Sequence, residues 1–193
     1  MMTNDVEERL AASLTAETTE LLPFLPYLLQ DLWALGSSPK DIAMLIKKHI
    51  DLQKDASCVV FGAAGNALGS PAQTLDKLAK TVKPGGYIII DEAYLLDGES
   101  NDDIKYKNYE YLYREQWLSL FKDNGLELVE ELQSTAEYDF DSECKAIASR
   151  ANELSEKHPE KREIFERYVQ SQLSEVDDLE SRLSAVYWLL RRT

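Results

Sequence analysis

Lys83-Pro84-Gly85-Gly86-Tyr87-Ile88-Ile89-Ile90-Asp91 is the stretch on which the fold turns. Its first four residues make a tight turn, because proline fixes one backbone torsion and glycine supplies positive ones. Tyr87 to Ile90 then reads as a strand without polar alternation, as expected for a strand covered on both faces, and Asp91 closes it. Upstream, Cys58 to Phe61 is a second short apolar run; it ends in Gly62 and reads as a buried strand. A helix joins the two. Ser70-Pro71-Ala72-Gln73 carries a capping pattern, and Leu75, Leu78 and Val82 supply the inner face.

Farther upstream, Leu21 to Leu35 is an apolar helical stretch with Leu25, Leu28, Leu29 and Leu32 on one face. Pro23 and Pro26 belong to its first turn, and Gly36 ends it. Ser38-Pro39-Lys40-Asp41 caps a second helix, which buries Ile42, Leu45 and Ile46. Downstream, Asp97 to Asp103 is a polar loop. A helix carrying Tyr109, Leu112, Tyr113, Trp117, Leu120 and Phe121 follows and stops at Asn124-Gly125. Leu126 to Leu132 is a third strand with imperfect alternation. About Asp141 to Leu179 reads as two charged helices broken at His158-Pro159, with Ile164, Phe165, Tyr168 and Leu173 on the face of the second. Ala185 to Leu190 is a last apolar strand, closed by Arg191 and Arg192. This order of helices and strands is α/β. Ligands in such sheets bind beyond the carboxyl ends of parallel strands, which points to Gly62–Asn66 and Asp91–Tyr94.

With 35 acidic and 21 basic residues the net charge is -14, which disfavours nucleic acid and anionic membranes as partners. No apolar run approaches the ~20 residues that span a bilayer. Met1 to Leu10 is acidic and unlike a secretory signal, so the expected location is cytoplasmic. Cys58, Cys144, His49 and His158 have no metal-ligand spacing, and no metal site is expected. The tyrosine-rich stretch Tyr106, Tyr109, Tyr111 and Tyr113 has no basic stripe and reads as packing rather than a base-stacking platform.

The Lys83–Asp91 stretch resembles the turn and fifth strand of class I S-adenosylmethionine (AdoMet)-dependent methyltransferases of small-molecule type. Val59 to Gly69 looks like the fourth strand and its loop, Asn124 to Val129 like the start of the sixth, and Leu183 to Arg192 like the seventh. In that family the seventh strand lies antiparallel between the fifth and sixth. Leu25 to Trp33 and Gly36 to Pro39 are similar to N-terminal helices that cap the site in one branch. The resemblance implies a Rossmann-like remnant, strands four to seven. It has a helical cap over residues 1–57, an α/β part over 58–193 and a helical insertion at about 139–181.

The departure from the family lies between Ser57 and Cys58. The family's first strand, its D-x-G-x-G turn and the acid ending its second strand have no counterpart, an absence of roughly 60–70 residues. Gly62, Gly65 and Gly69 form the one glycine cluster, without a G-x-G pair. It reads foremost as a tight turn walling the site, with direct cofactor contact as the other reading.

The resemblance implies AdoMet as cofactor and a small-molecule methyl acceptor. Gly62, Ala63, Asn66 and Tyr27 are the cofactor-side candidates. Gln30, Asp31, Asp91, Glu92 and Tyr94 are the substrate-side candidates, with Asn66 and Tyr94 nearest the methyl group. No catalytic residue is assigned. The competing expectation is a non-catalytic module acting through a protein partner. Without strands one to three, Val59, Val60 and Phe61 form a sheet edge, and a homodimer through it is expected.

Overall fold

A computed structural model describes residues 16–32, 36–51, 57–134 and 139–193. The elements run α1 (Ala16–Leu21), a 3-10 turn (Leu22–Phe24), α2 (Leu25–Leu28), α3 (Pro39–His49), β1 (Cys58–Gly62), α4 (Pro71–Thr81) and β2 (Tyr87–Leu95). Then come α5 (Arg114–Asp123), β3 (Leu126–Gln133), α6 (Phe140–Lys157), a 3-10 turn (Pro159–Lys161), α7 (Arg162–Ser181) and β4 (Leu183–Arg192). No described helix is long and apolar enough to cross a membrane. The described residues fall into two compact units: a helical one (16–32 and 139–177) and a sheet one (36–134 and 178–193).

In the sheet unit the strand order is β1-β2-β4-β3. β1 pairs parallel with β2, while β4 runs antiparallel to both β2 and β3. The last strand is thus inserted between its two predecessors, as the resemblance implies. Burial explains why β4 is so apolar: Val186, Tyr187, Trp188, Leu189 and Leu190 are all buried. Their alternation splits them between two faces. Val186, Trp188 and Leu190 join Leu75, Leu78, Ile88, Ile90, Trp117 and Phe121 beneath α4 and α5. Tyr187 and Leu189 join Leu45, Ile50 and Ile89 beneath α3. Each large apolar side chain so buried contributes about 1.5–3 kcal/mol.

The caps form as the sequence predicts. Ser38 Oγ accepts the Asp41 N–H at 3.3 Å. Ser70 and Gln73 make a reciprocal capping box at 3.4 and 3.0 Å. Four expectations change, and a fifth is explained. The helix expected from Leu21 is broken into short turns, because Pro23 and Pro26 each lack an N–H and crowd the preceding turn. β2 does not stop at Asp91 but continues to Leu95, since β4 pairs with all nine of its residues. The helix expected to include Tyr109 begins at Arg114. The backbone before it is committed elsewhere: Lys105 and Tyr106 N–H groups to Asp178 Oδ2 at 2.8 and 2.7 Å, and Tyr111 N–H to Asn101 Oδ1 at 2.9 Å. β3 carries a bulge between Leu128 and Glu130, which accounts for its irregular alternation. Leu173 is exposed rather than on the inner face of α7.

The helical unit has its own core, in which Leu21 and Leu28 pack with Ala151, Leu154 and Phe165.

Candidate active site

β1 and β2 are the parallel pair, so their carboxyl ends define the candidate site. Asp91 and Glu92 are neighbours in sequence, yet side chains alternate along a strand. Asp91 faces the α3 side and Glu92 the α4–α5 side. The sequence-predicted residues of this unit therefore separate into two groups.

On the α3 side, Asp91 is level with Gly62 across the β1–β2 pair. Asp91 is 6% exposed. Burial, with a smaller push from Asp41, outweighs the downward pull of the Ser37 and Tyr187 hydroxyls and brings its carboxyl up to about 6. The Tyr187 hydroxyl accepts the Ser38 N–H at 2.6 Å, which leaves its own proton to donate. Asp91 Oδ2 and Ser37 Oγ are both buried without a partner of good hydrogen-bond geometry. A carboxyl of this kind, with a raised affinity for protons near neutrality, suits general-base chemistry. Ala63 follows Gly62 with φ +42°, a strained value for a residue with a Cβ.

On the other side, Tyr109 donates its hydroxyl to Glu92 Oε2 at 2.8 Å. Burial first, and the Glu92 charge second, raise the Tyr109 phenol, so it stays protonated. Asn66 Nδ2 reaches the Asn108 carbonyl at 3.5 Å, linking the glycine loop to the tyrosine loop. Phe61, Gly65, Thr74, Glu92, Tyr109 and Trp117 meet along a narrow seam here. The Trp117 indole N–H is buried without an acceptor. Tyr94 lies farther along the same face; its hydroxyl accepts from Gln133 Nε2 at 3.2 Å, and its ring stacks on Trp188.

Tyr27, Gln30 and Asp31 belong to the helical unit. There Tyr27 donates to Glu153, with Lys157 Nζ 4.8 Å from its ring centre. Asp31 pairs with Arg150 at 2.6 Å, and that hydrogen bond holds its carboxyl below the usual range. Gln30 is exposed.

The sequence reading missed Ser37, Tyr187 and Tyr109. Tyr187 offered one signal: a hydroxyl within a run of buried apolar residues needs a partner. Its partner Ser38 is 149 residues away.

The glycine loop does not offer a bare backbone cradle for the adenosyl part of AdoMet. A Cβ on Gly62 would collide with Ser37 Oγ, and one on Gly69 with the Gln73 side chain. At these two glycines the protein's own side chains take the space, while Gly65 between them stays open. Among the described residues no G-x-G turn follows any strand.

No protein-family description matches the chain, and no curated protein does. Solved structures do. A methyltransferase from Geobacter sulfurreducens in complex with S-adenosylhomocysteine aligns over 72% of this chain and 60% of its own, at 20% identity and TM-score 0.54. One from Thiobacillus denitrificans, also in complex with S-adenosylhomocysteine, covers the same shares at 19% identity and TM-score 0.52. The cyclopropane synthase MmaA2 from Mycobacterium tuberculosis aligns over 80% of this chain and 67% of its own, at 12% identity and TM-score 0.53. The chain thus spans 60% of the length of the first two. The sheet order, its antiparallel last strand and these likenesses agree: the chain has the Rossmann-like α/β fold of class I AdoMet-dependent methyltransferases.

Proposed function

We propose that the protein serves AdoMet-dependent methyl transfer to a small-molecule acceptor and that the carboxyl ends of β1 and β2 form the acceptor side of the site. The observation that supports this reading is the sheet itself, β1-β2-β4-β3 with an antiparallel β4, in which Gly62 at the end of β1 pairs with Asp91 of β2. S-adenosylhomocysteine in two structural neighbours supports AdoMet as the cofactor. AdoMet carries its own activated methyl group; the protein's part is to align an acceptor and, where the acceptor is protonated, to take its proton. Asp91 suits the second task by its burial and raised proton affinity.

A second reading has a specific observation behind it. The absence of any G-x-G pair, with Gly62 and Gly69 packed against side chains, favours a shortened, non-catalytic module that works through a protein partner. Incubation of the purified protein with methyl-labelled AdoMet and a panel of small amines, alcohols and acids separates the two. Label transferred to an acceptor, and reduced in Asp91→Asn, supports the enzyme. A folded protein that transfers no label supports the module.

Two further readings go with the first. β1 is paired on one side only among the described residues, and Val60 is 45% exposed, which supports a homodimer through that edge. A cytoplasmic setting is the other, in keeping with the acidic Met1–Leu10 stretch.

A further inference from the structure

Tyr187 brings a hydroxyl into a strand whose neighbouring side chains, Val186 and Trp188 to Leu190, are a buried apolar run. It stands directly opposite Asp91 in the β2–β4 pair. Cross-strand partners share one face of the sheet, with Cβ atoms about 4.5–5.5 Å apart. At the same level β1 offers Gly62, which has no side chain to come between them and the start of α3. The phenol is anchored from that helix: its oxygen accepts the N–H of Ser38, the N-cap of α3, at 2.6 Å. The O–H is then its donor, and the Asp91 carboxyl is an acceptor within its reach.

The charged group acting on Asp91 is Asp41, in the first turn of α3, and the groups acting on it include no Lys, Arg or His. A carboxylate buried without a cation is costly, and a residue placed there for packing alone would be apolar. An ammonium or guanidinium beside it would remove its affinity for protons near neutrality. A phenol orients the carboxyl and leaves most of that affinity in place. Asp91 Oδ2 is buried without a partner, which leaves one oxygen to take up a proton.

We propose that Tyr187 is a positioning residue for Asp91: its phenol, fixed by the Ser38 N–H, donates to the carboxyl and holds it as a proton acceptor beside the start of α3. As the base of a methyl transfer the pair rests on the function proposed above; as a buried hydrogen-bonded pair it does not.

The test is an NMR pH titration of the whole protein carrying 13C at aspartate Cγ and tyrosine Cζ. The two resonances are identified by their loss in Asp91→Asn and Tyr187→Phe. In wild type the Tyr187 signal should move with the midpoint of Asp91, and in Asp91→Asn that movement should vanish. Tyr187→Phe keeps the buried ring and removes the donor; the Asp91 midpoint should rise by about one pH unit, a tenfold higher proton affinity. Should Tyr187→Phe fail to fold, the wild-type and Asp91→Asn titrations carry the comparison. Where label transfer is detected, the acid limb of its pH profile should move up by the same unit in Tyr187→Phe. Three results overturn the proposal: a Tyr187 signal indifferent to the Asp91 titration in folded wild type, an Asp91 midpoint unmoved in folded Tyr187→Phe, or an acid limb unmoved in that variant. Coupled titrations without label transfer to any acceptor would refute methyl transfer and leave the pair standing.

Discussion

Replacing Asp91 by Asn should stabilise the protein at pH 8 and do far less at pH 4. The Asp91 carboxyl ionises near 3.8 in an unfolded chain and near 6 in the folded one. Below the first value both states hold the proton, and ionisation has no effect on stability. Between the two the folded state keeps a proton that the unfolded state has released, so stability falls as pH rises. Above the second value the loss is complete. A difference of about two pKa units corresponds to about 3 kcal/mol. With a 6% exposed side chain, solvent screening reduces this little. Asn keeps the shape and cannot ionise, so the variant should lack this downward slope. Urea unfolding of both proteins at pH 4, 5, 6, 7 and 8 measures the difference directly. Any offset from exchanging an oxygen for an amino group is independent of pH; the change in the difference is the test. A wild-type-to-variant difference that stays constant from pH 4 to pH 8 would refute the burial argument for Asp91.

Other expectations follow from contacts nearby. Gly62→Ala places a methyl group where Ser37 Oγ lies; overpacking of this sort costs about 1–3 kcal/mol, readable as a lower urea midpoint. Asp178→Ala leaves the Lys105 and Tyr106 N–H groups without their acceptor; a loss of about 2–4 kcal/mol and faster amide exchange at those two residues are expected. Val60→Lys puts a charge on the exposed edge strand; sedimentation should show a dimer for wild type and a monomer for the variant, and a monomeric wild type refutes the edge-pairing proposal.

What could be read in advance was local. The Ser38 and Ser70 caps, the β1–α4–β2 unit and the break at His158-Pro159 depend on residues within a few positions of one another, and all of them form. What could not be read depended on distant partners. The length of β2 is set by β4, some hundred residues later. A strand that ends at Asp91 sets no alternation between Asp91 and Glu92, so the sequence offers both acids as substrate-side candidates, while the longer strand turns them to opposite faces. Tyr109 looked like a helix residue because the committing bonds of its loop come from Asn101 and from Asp178. At Pro23 and Pro26 the leucine spacing outweighed the prolines in the reading, while in the chain the prolines prevailed.

The central claim is that the carboxyl ends of β1 and β2 form the working end of a methyltransferase-type site. The most direct test is a 15N–1H NMR titration of the protein with S-adenosylhomocysteine. The account predicts weak, saturable shifts confined to Gly62–Asn66, Asp91–Tyr94 and the residues touching them, weak because Gly62 and Gly69 already pack against side chains. A folded protein whose spectrum is unchanged, or shifts concentrated away from that end, would contradict it.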